Sequence, residues 1–187
     1  MQILVSDPSY DHEDKVDRSQ FIAELREQLQ PFSEKVEICE GDIGKGASDP
    51  VIIAILAWTL FQSGKSIEEN LDGWIKLAKR FGSFLKWTVE KGLRRRIDEQ
   101  GASLLATKTI LDQADEPIQA LIRWSSVFIP FWRDDFVEPG RIDHAPDGLF
   151  SQTYLLNNNR VFVLVIKSTG FVESINSYPV LDWNEFR

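Results

Sequence analysis

The segment from residue 67 to residue 91 places the strongest constraint on the fold, because its apolar residues recur at the spacing of one helical face. These residues are Ile67, Leu71, Trp74, Ile75, Ala78, Phe81, Leu85 and Val89. Ser66 and Glu69 form a capping-box pattern at its start, and Gly92 is suited to ending it. The pattern predicts an amphipathic helix over about 67–91 that must bury one side against other elements.

An apolar run, Val51–Phe61, precedes this helix. Ser48–Pro50 supplies an N-cap residue and a first-turn proline, and Gly64 is placed to stop a helix. We therefore predict a helix over 50–62, which forms a central helical hairpin with 67–91. The pattern leaves open whether the run is buried or exposed for contact, and we favour burial.

The residues before this hairpin predict a βαβ unit. Gln2–Ser6 and Lys35–Glu40 are typical of strands, and a helix with apolar residues on one face lies between them and ends before Pro31. A crossover of this length predicts parallel strands. After Gly92, the spacing of apolar residues predicts a further helix over about 94–113.

The C-terminal part is typical of an antiparallel meander. Residues 118–130 fit a helix start and also a strand, and their alternating apolar residues favour a strand. Three further strands are predicted at Thr153–Leu156, Arg160–Lys167 and Phe171–Ser177. Asn157-Asn-Asn159 suits the first turn, since asparagine tolerates positive φ. The second of the three strands is apolar at successive positions, which predicts a central strand covered on both faces.

Together these elements predict an α+β fold with an N-terminal βαβ unit, a central helical hairpin and a C-terminal antiparallel β-meander. A length of 187 residues suits one domain with its own core. We expect residues 1–187 to form a single compact domain, with sub-parts at 1–47, 48–113 and 114–187.

The charge is unevenly distributed along the chain. The net charge is −8, yet residues 76–96 contain eight basic residues and one acidic residue, a net charge of +7. Overall acidity argues against generic nucleic-acid binding, so we expect no nucleic-acid partner. The basic segment suits an acidic protein partner, an anionic membrane or acidic parts of its own chain. The candidate interaction residues are Lys76, Lys79, Arg80, Lys86, Arg94, Arg95, Arg96 and Trp74.

Residues 1–96 also resemble a known class of proteins. The sequence Val36–Asp42 is followed by Gly44-Lys-Gly46, by Asp49-Pro50, by the apolar run, and by Trp74 before the basic cluster. This order resembles the effector-associated accessory components of bacterial conflict (anti-phage defence) systems. The resemblance implies a non-enzymatic accessory protein that contacts an effector or a membrane.

These observations lead to one main hypothesis and two alternatives. We predict a non-enzymatic protein-interaction or adaptor module without a cofactor, because no catalytic constellation has defensible spacing; its partner is another protein or a second copy. One alternative is a membrane-associating effector that uses 50–96, an apolar helix followed by a basic one. The other is a metal-assisted hydrolase that uses Asp7 and Asp42, which directly follow two predicted strands. The N-terminus does not resemble a signal peptide, so we expect a cytoplasmic location, with peripheral membrane association as the alternative.

Overall fold

The computed structural model of the chain describes residues 1–6, 15–32, 35–41, 51–57, 71–131 and 147–180. In chain order these residues form β1 Gln2–Ser6, α1 Lys15–Leu29, a 3-10 turn Gln30–Phe32, β2 Lys35–Gly41, β3 Val51–Ala57, α2 Leu71–Glu90, β4 Arg94–Ile97, α3 Glu99–Gln113, β5 Leu121–Pro130, β6 Gly148–Leu156, β7 Arg160–Lys167 and β8 Val172–Pro179. The predicted α+β class is confirmed, and the strands form two sheets of four.

The first sheet has the strand order β2-β3-β1-β4, and every neighbouring pair is antiparallel. The strands β1 and β2 therefore run parallel, as expected, but β3 lies between them and they are not hydrogen-bonded neighbours. In the same way β1 separates β3 from β4. Each strand–helix–strand unit thus spans an intervening strand, which is the split βαβ arrangement of a ferredoxin-like βαββαβ topology.

The predicted helix over 50–62 is wrong, since Val51–Ala57 is a strand inside this sheet. The run is rich in β-branched residues, and a short apolar run has no period that separates a strand from a buried helix. The central pair of helices exists, but it consists of α2 and α3, which pack against each other. The predicted burial of Val51–Phe61 stays a prediction, because 58–61 and the side chains of β3 lie outside the described part of the chain.

The predicted helix over 94–113 is split in two by the structure. Arg94–Ile97 is a strand that pairs with β1, and the helix begins only at Glu99. The Oδ1 of Asp98 accepts a hydrogen bond from the backbone N–H of Gly101 at 2.9 Å, so Asp98 is the N-cap. The four residues before this cap pair with β1 and so form the fourth strand of the sheet.

The second sheet is the predicted antiparallel meander, with the order β5-β6-β7-β8. Residues 121–130 are a strand, as favoured from their alternation. Asn157 and Asn158 have φ of 48° and 58°, so the predicted asparagine turn is confirmed. β6 begins at Gly148, five residues earlier than predicted.

The two sheets share one contiguous cluster of buried apolar side chains, which runs from Ile3 in β1 to Ile166 in β7. α3 contacts β6 and β7 as well as β1 and β4. The backbone N–H of Ile97, at the end of β4, donates to the carbonyl of Ser168 after β7 at 2.7 Å. β3, which follows residue 47, pairs with both β1 and β2 in the first sheet, and the division of the chain into sub-parts stays a prediction.

Candidate interaction surface

The basic residues predicted on α2 lie on the side of that helix that faces away from the core. Lys76, Lys79, Arg80 and Lys86 are exposed, and Lys86 forms an i,i+4 ion pair with Glu90 at 3.7 Å. Trp74 is on the opposite side and only 6% exposed. The structure therefore brings four predicted cations together in one stripe and places the predicted tryptophan in the core.

The three arginines of β4 have three different environments. Arg94 is exposed, and Arg96 forms an ion pair with Asp147. Arg95 is 8% exposed, and its guanidinium carbon lies 4.8 Å from the centroid of the Phe171 ring. Burial lowers the pKa of Arg95 from its usual value, but an arginine remains charged at neutral pH. Arg95 does not form one cationic patch with Arg94 and Arg96, because the pleat of the strand directs its side chain to the opposite face.

Two further observations bear on the predicted membrane and metal sites. The apolar side of α2 is buried in the protein core, so the exposed side of this helix presents mainly charged side chains. No helix in the described part of the chain combines the length and hydropathy needed to cross a membrane.

Asp7 and Asp42 themselves lie outside the described residues. They follow Ser6 and Gly41, which both pair with Val51 of the intervening strand. The strand ends are therefore about 10 Å apart, two strand spacings, and the expectation that they are neighbours is wrong. Within the described ranges, no group of three or more His, Cys, Asp or Glu residues could hold a metal ion.

A surface that the sequence did not indicate lies on the second sheet. One face of this sheet packs against α3 with buried residues such as Phe150, Tyr154, Phe162 and Leu164. The register assigns the opposite face, here called the outer face, to residues that alternate with these. They are Ile122, Ser125, Val127, Ile129, Leu149, Ser151, Thr153, Leu155, Val161, Val163, Val165, Lys167, Ser174, Asn176 and Tyr178.

The outer face is almost free of charge. Its one charged residue in the described sheet is Lys167, which forms an ion pair with Glu173 at the bulge of β8. Val161, Val163 and Val165 are partly exposed, so the predicted cover on both faces of β7 is incomplete. The apolar sequence of β7 indicated that both of its faces are covered. The same sequence is expected whether the protein's own core or a binding partner covers the second face.

The edge strand β5 continues this uncharged surface. Within the described residues, β5 pairs with β6 alone, and no described strand lies along its other edge. Val127 is 54% exposed, Ile129 is 49% exposed, and Trp124 lies at a bulge and is 58% exposed. The segment Trp124–Phe131 contains no charged residue. Natural edge strands are usually protected by charges, prolines or covering elements.

A buried polar network attaches β5 and β6 to α3. The amide nitrogen of Gln152 donates to the hydroxyls of Ser103 and Ser126 at 3.1 and 3.2 Å. The hydroxyl of Tyr154 donates to the amide oxygen of Gln152 at 3.0 Å. Arg123 completes the network by donating to the Ser103 hydroxyl at 2.7 Å. Because each member has a partner, the network holds the edge strand in one position relative to the helix.

The network predicts a stability loss in alkaline solution. Burial raises the pKa of Tyr154 to about 12, whereas the unfolded chain ionises near 10. The folded state thus retains the proton longer, so stability is full below pH 10 and decreases as pH rises from 10 to 12. We expect urea unfolding to show a loss on the order of 2 kcal/mol across this window. The same series with Tyr154→Phe should lack this component, and identical pH profiles for both proteins would contradict the assignment.

Comparisons with protein-family models, with curated proteins and with solved structures found no match for this chain. The functional argument therefore depends on the surfaces of the molecule itself, and the outer face with the β5 edge is the strongest of them.

Proposed function

We propose that this protein is a non-enzymatic interaction or adaptor module that binds another protein chain through the outer face and the β5 edge. The observation that carries the proposal is the near absence of charge on the outer face, which extends across four strands in a chain that is 27% charged. Depletion of charged residues at the centre is the compositional signal of protein–protein interfaces.

The apolar content of the surface supports the same proposal. Val127, Ile129 and Tyr178 are each about half exposed, and the partly exposed valines of β7 lie between them in the sheet. Exposed apolar residues that adjoin one another on a rigid sheet, rather than singly, are typical of contact surfaces. The resemblance to accessory components of defence systems points to the same class of role, a contact with another protein.

The alternatives have less support from the described residues. A membrane-associating helix needs an apolar face to insert, and the apolar face of α2 is buried in the core. The hydrolase hypothesis needs neighbouring carboxylates, and the strands that precede Asp7 and Asp42 are separated by β3.

Site-specific photo-crosslinking in living cells tests the proposal. A photoreactive residue at position 163, central on the outer face, should form covalent adducts with protein, whereas one at position 79 on the basic stripe of α2 should not. Introducing Ser151→Lys next to position 163 should abolish the adducts while leaving the circular dichroism spectrum unchanged. Absence of protein adducts at position 163, or equal adducts at both positions, would contradict the proposed surface.

A further inference from the structure

We infer that the chain pairs with a second copy of itself through β5, so that two four-stranded sheets join into one sheet of eight strands. The inference rests on the proposed function, because it uses the β5 edge of the same surface and names its partner. The two β5 strands run antiparallel around a two-fold axis, which is the usual symmetry of a homodimer.

The two edge strands of the second sheet differ in the apolar side chains that they expose. Both strands contain one charged residue, which forms an ion pair within the chain, and both end in a proline. In β5, the large apolar side chains of Trp124, Val127 and Ile129 are about half exposed, whereas in β8 only Tyr178 is. An exposed apolar edge is a liability for a chain that remains alone and an advantage for one that pairs.

The register of the pair follows from the limits of regular pairing along β5. The bulge between Arg123 and Ser125 interrupts the strand at one end, and Pro130, which has no N–H, ends it at the other. The regular stretch is therefore 125–129, and its centre is Val127. Antiparallel pairing about Val127 also keeps each outer-face residue opposite an outer-face residue of the other copy.

This register makes the edge complementary to itself in size. Ile129 of one copy lies opposite Ser125 of the other, and Phe128 lies opposite Ser126. Val127 lies opposite its own equivalent on the axis. Each large side chain thus meets a small one, as close packing between facing positions requires. A second copy of β5 always places its small residues opposite the large residues of the first copy in this register. A strand from another protein need not have small residues at those positions.

The net charge of the chain also limits where two copies can approach each other. Each chain carries a net charge of −8, so copies repel except where the approaching surfaces are neutral. The segment Trp124–Phe131 is such a surface, since it contains no charged residue.

A cysteine at the axis tests both pairing and register. Cys39 is the only cysteine, so Val127→Cys in a Cys39→Ser background carries one thiol per chain. Directly opposed residues of antiparallel strands have Cα atoms about 4.5–5.5 Å apart, which is within disulfide range. We expect mild oxidation of the purified protein to yield a covalent dimer. Val165→Cys in the same background is the matched control, since it lies on the same face two strands from the edge and should remain monomeric on a denaturing gel.

Sedimentation velocity measures the non-covalent pair. We expect the unmodified protein to form a dimer, and we expect Val127→Lys to weaken dimerisation by at least about 100-fold, because it places two ammonium groups opposite each other. Val127 is exposed in the single chain, so urea unfolding should show that the variant folds. A wild-type protein that is monomeric at all concentrations, or Val165→Cys crosslinking as readily as Val127→Cys, would overturn the inference. A monomeric protein that still forms adducts with other proteins at position 163 would overturn this inference alone. A monomeric protein that forms no adducts at position 163 would overturn the proposed function as well.

Discussion

Replacing Phe81 with alanine is expected to lower the free energy of unfolding by about 3–5 kcal/mol, the usual range for removing a fully buried aromatic ring. Phe81 is 0% exposed. Its ring lies 6.2 Å from the ring centroids of both Phe32 and Phe84. It also lies near Gly101, where a Cβ would be 3.3 Å from Cζ of Phe81. The ring therefore joins the 3-10 turn after α1 to α2 and α3, and its loss leaves a cavity that rigid helices cannot close.

Chemical denaturation provides the measurement, and Val89→Ala provides the control on the same helix. Val89 is 50% exposed, so its truncation should change the free energy of unfolding by no more than about 0.5 kcal/mol. If Phe81→Ala lowered the free energy of unfolding by less than about 1 kcal/mol, the ring would not be at the centre of the core. That result would contradict the described packing of α2 against α3.

Gly148→Ala is the second substitution with a large expected effect. A Cβ at this position would lie 2.4 Å from the backbone oxygen of Ile129 and 2.5 Å from Cζ of Phe128. The first of these atoms belongs to the paired strand and cannot move without breaking the ladder between β5 and β6. We expect a loss of about 3 kcal/mol, at the upper end of the range for overpacking. Because the strain between β6 and β5 would displace β5, the same variant should also weaken dimerisation through β5.

Gly82→Ala is the matched comparison, and its expected effect has the opposite sign. The new Cβ would meet only the flexible side chain of Lys108, at 3.0 Å from Cε, and this chain can shift. Alanine is favoured over glycine inside a helix by about 1 kcal/mol, so we expect a small gain in stability. Urea melts of the two variants side by side should give opposite signs. If Gly148→Ala left the free energy of unfolding unchanged, β5 and β6 would be paired less closely at this position than the structure shows.

The elements that could be predicted from the sequence are those whose own residues specify them. α2 has a helical period because one side of it is buried, and it ends at Glu90 before Gly92, whose φ is +70°. The asparagine turn between β6 and β7 needs positive φ at two positions, and asparagine tolerates it. The alternation that favoured a strand over 118–130 reflects the two faces of β5. Local backbone preference and a single buried face were sufficient in each case.

The site was harder to predict, because the three proposed arginines of β4 lie in three different environments once the chain folds. The stripe on α2 could be predicted from helical spacing alone. The burial of Arg95 could not, since it depends on β4 pairing with β1 and on Phe171, which lies 76 positions along the chain. The outer face was missed for a related reason: its small neutral residues become one surface only when four strands are aligned.

The amino-acid sequence by itself determined the α+β class, the helix α2, the meander and the turn between β6 and β7, because periodicity and backbone preference act within a few residues. Only the tertiary structure decided that Val51–Ala57 is a strand between β1 and β2 and that Arg94–Ile97 joins the sheet instead of the following helix. It also decided that β5 has a single partner strand among the described residues. An apolar run gains the same burial free energy as a helix or as a strand, so the hydrogen-bonding partners that distant segments supply make the choice.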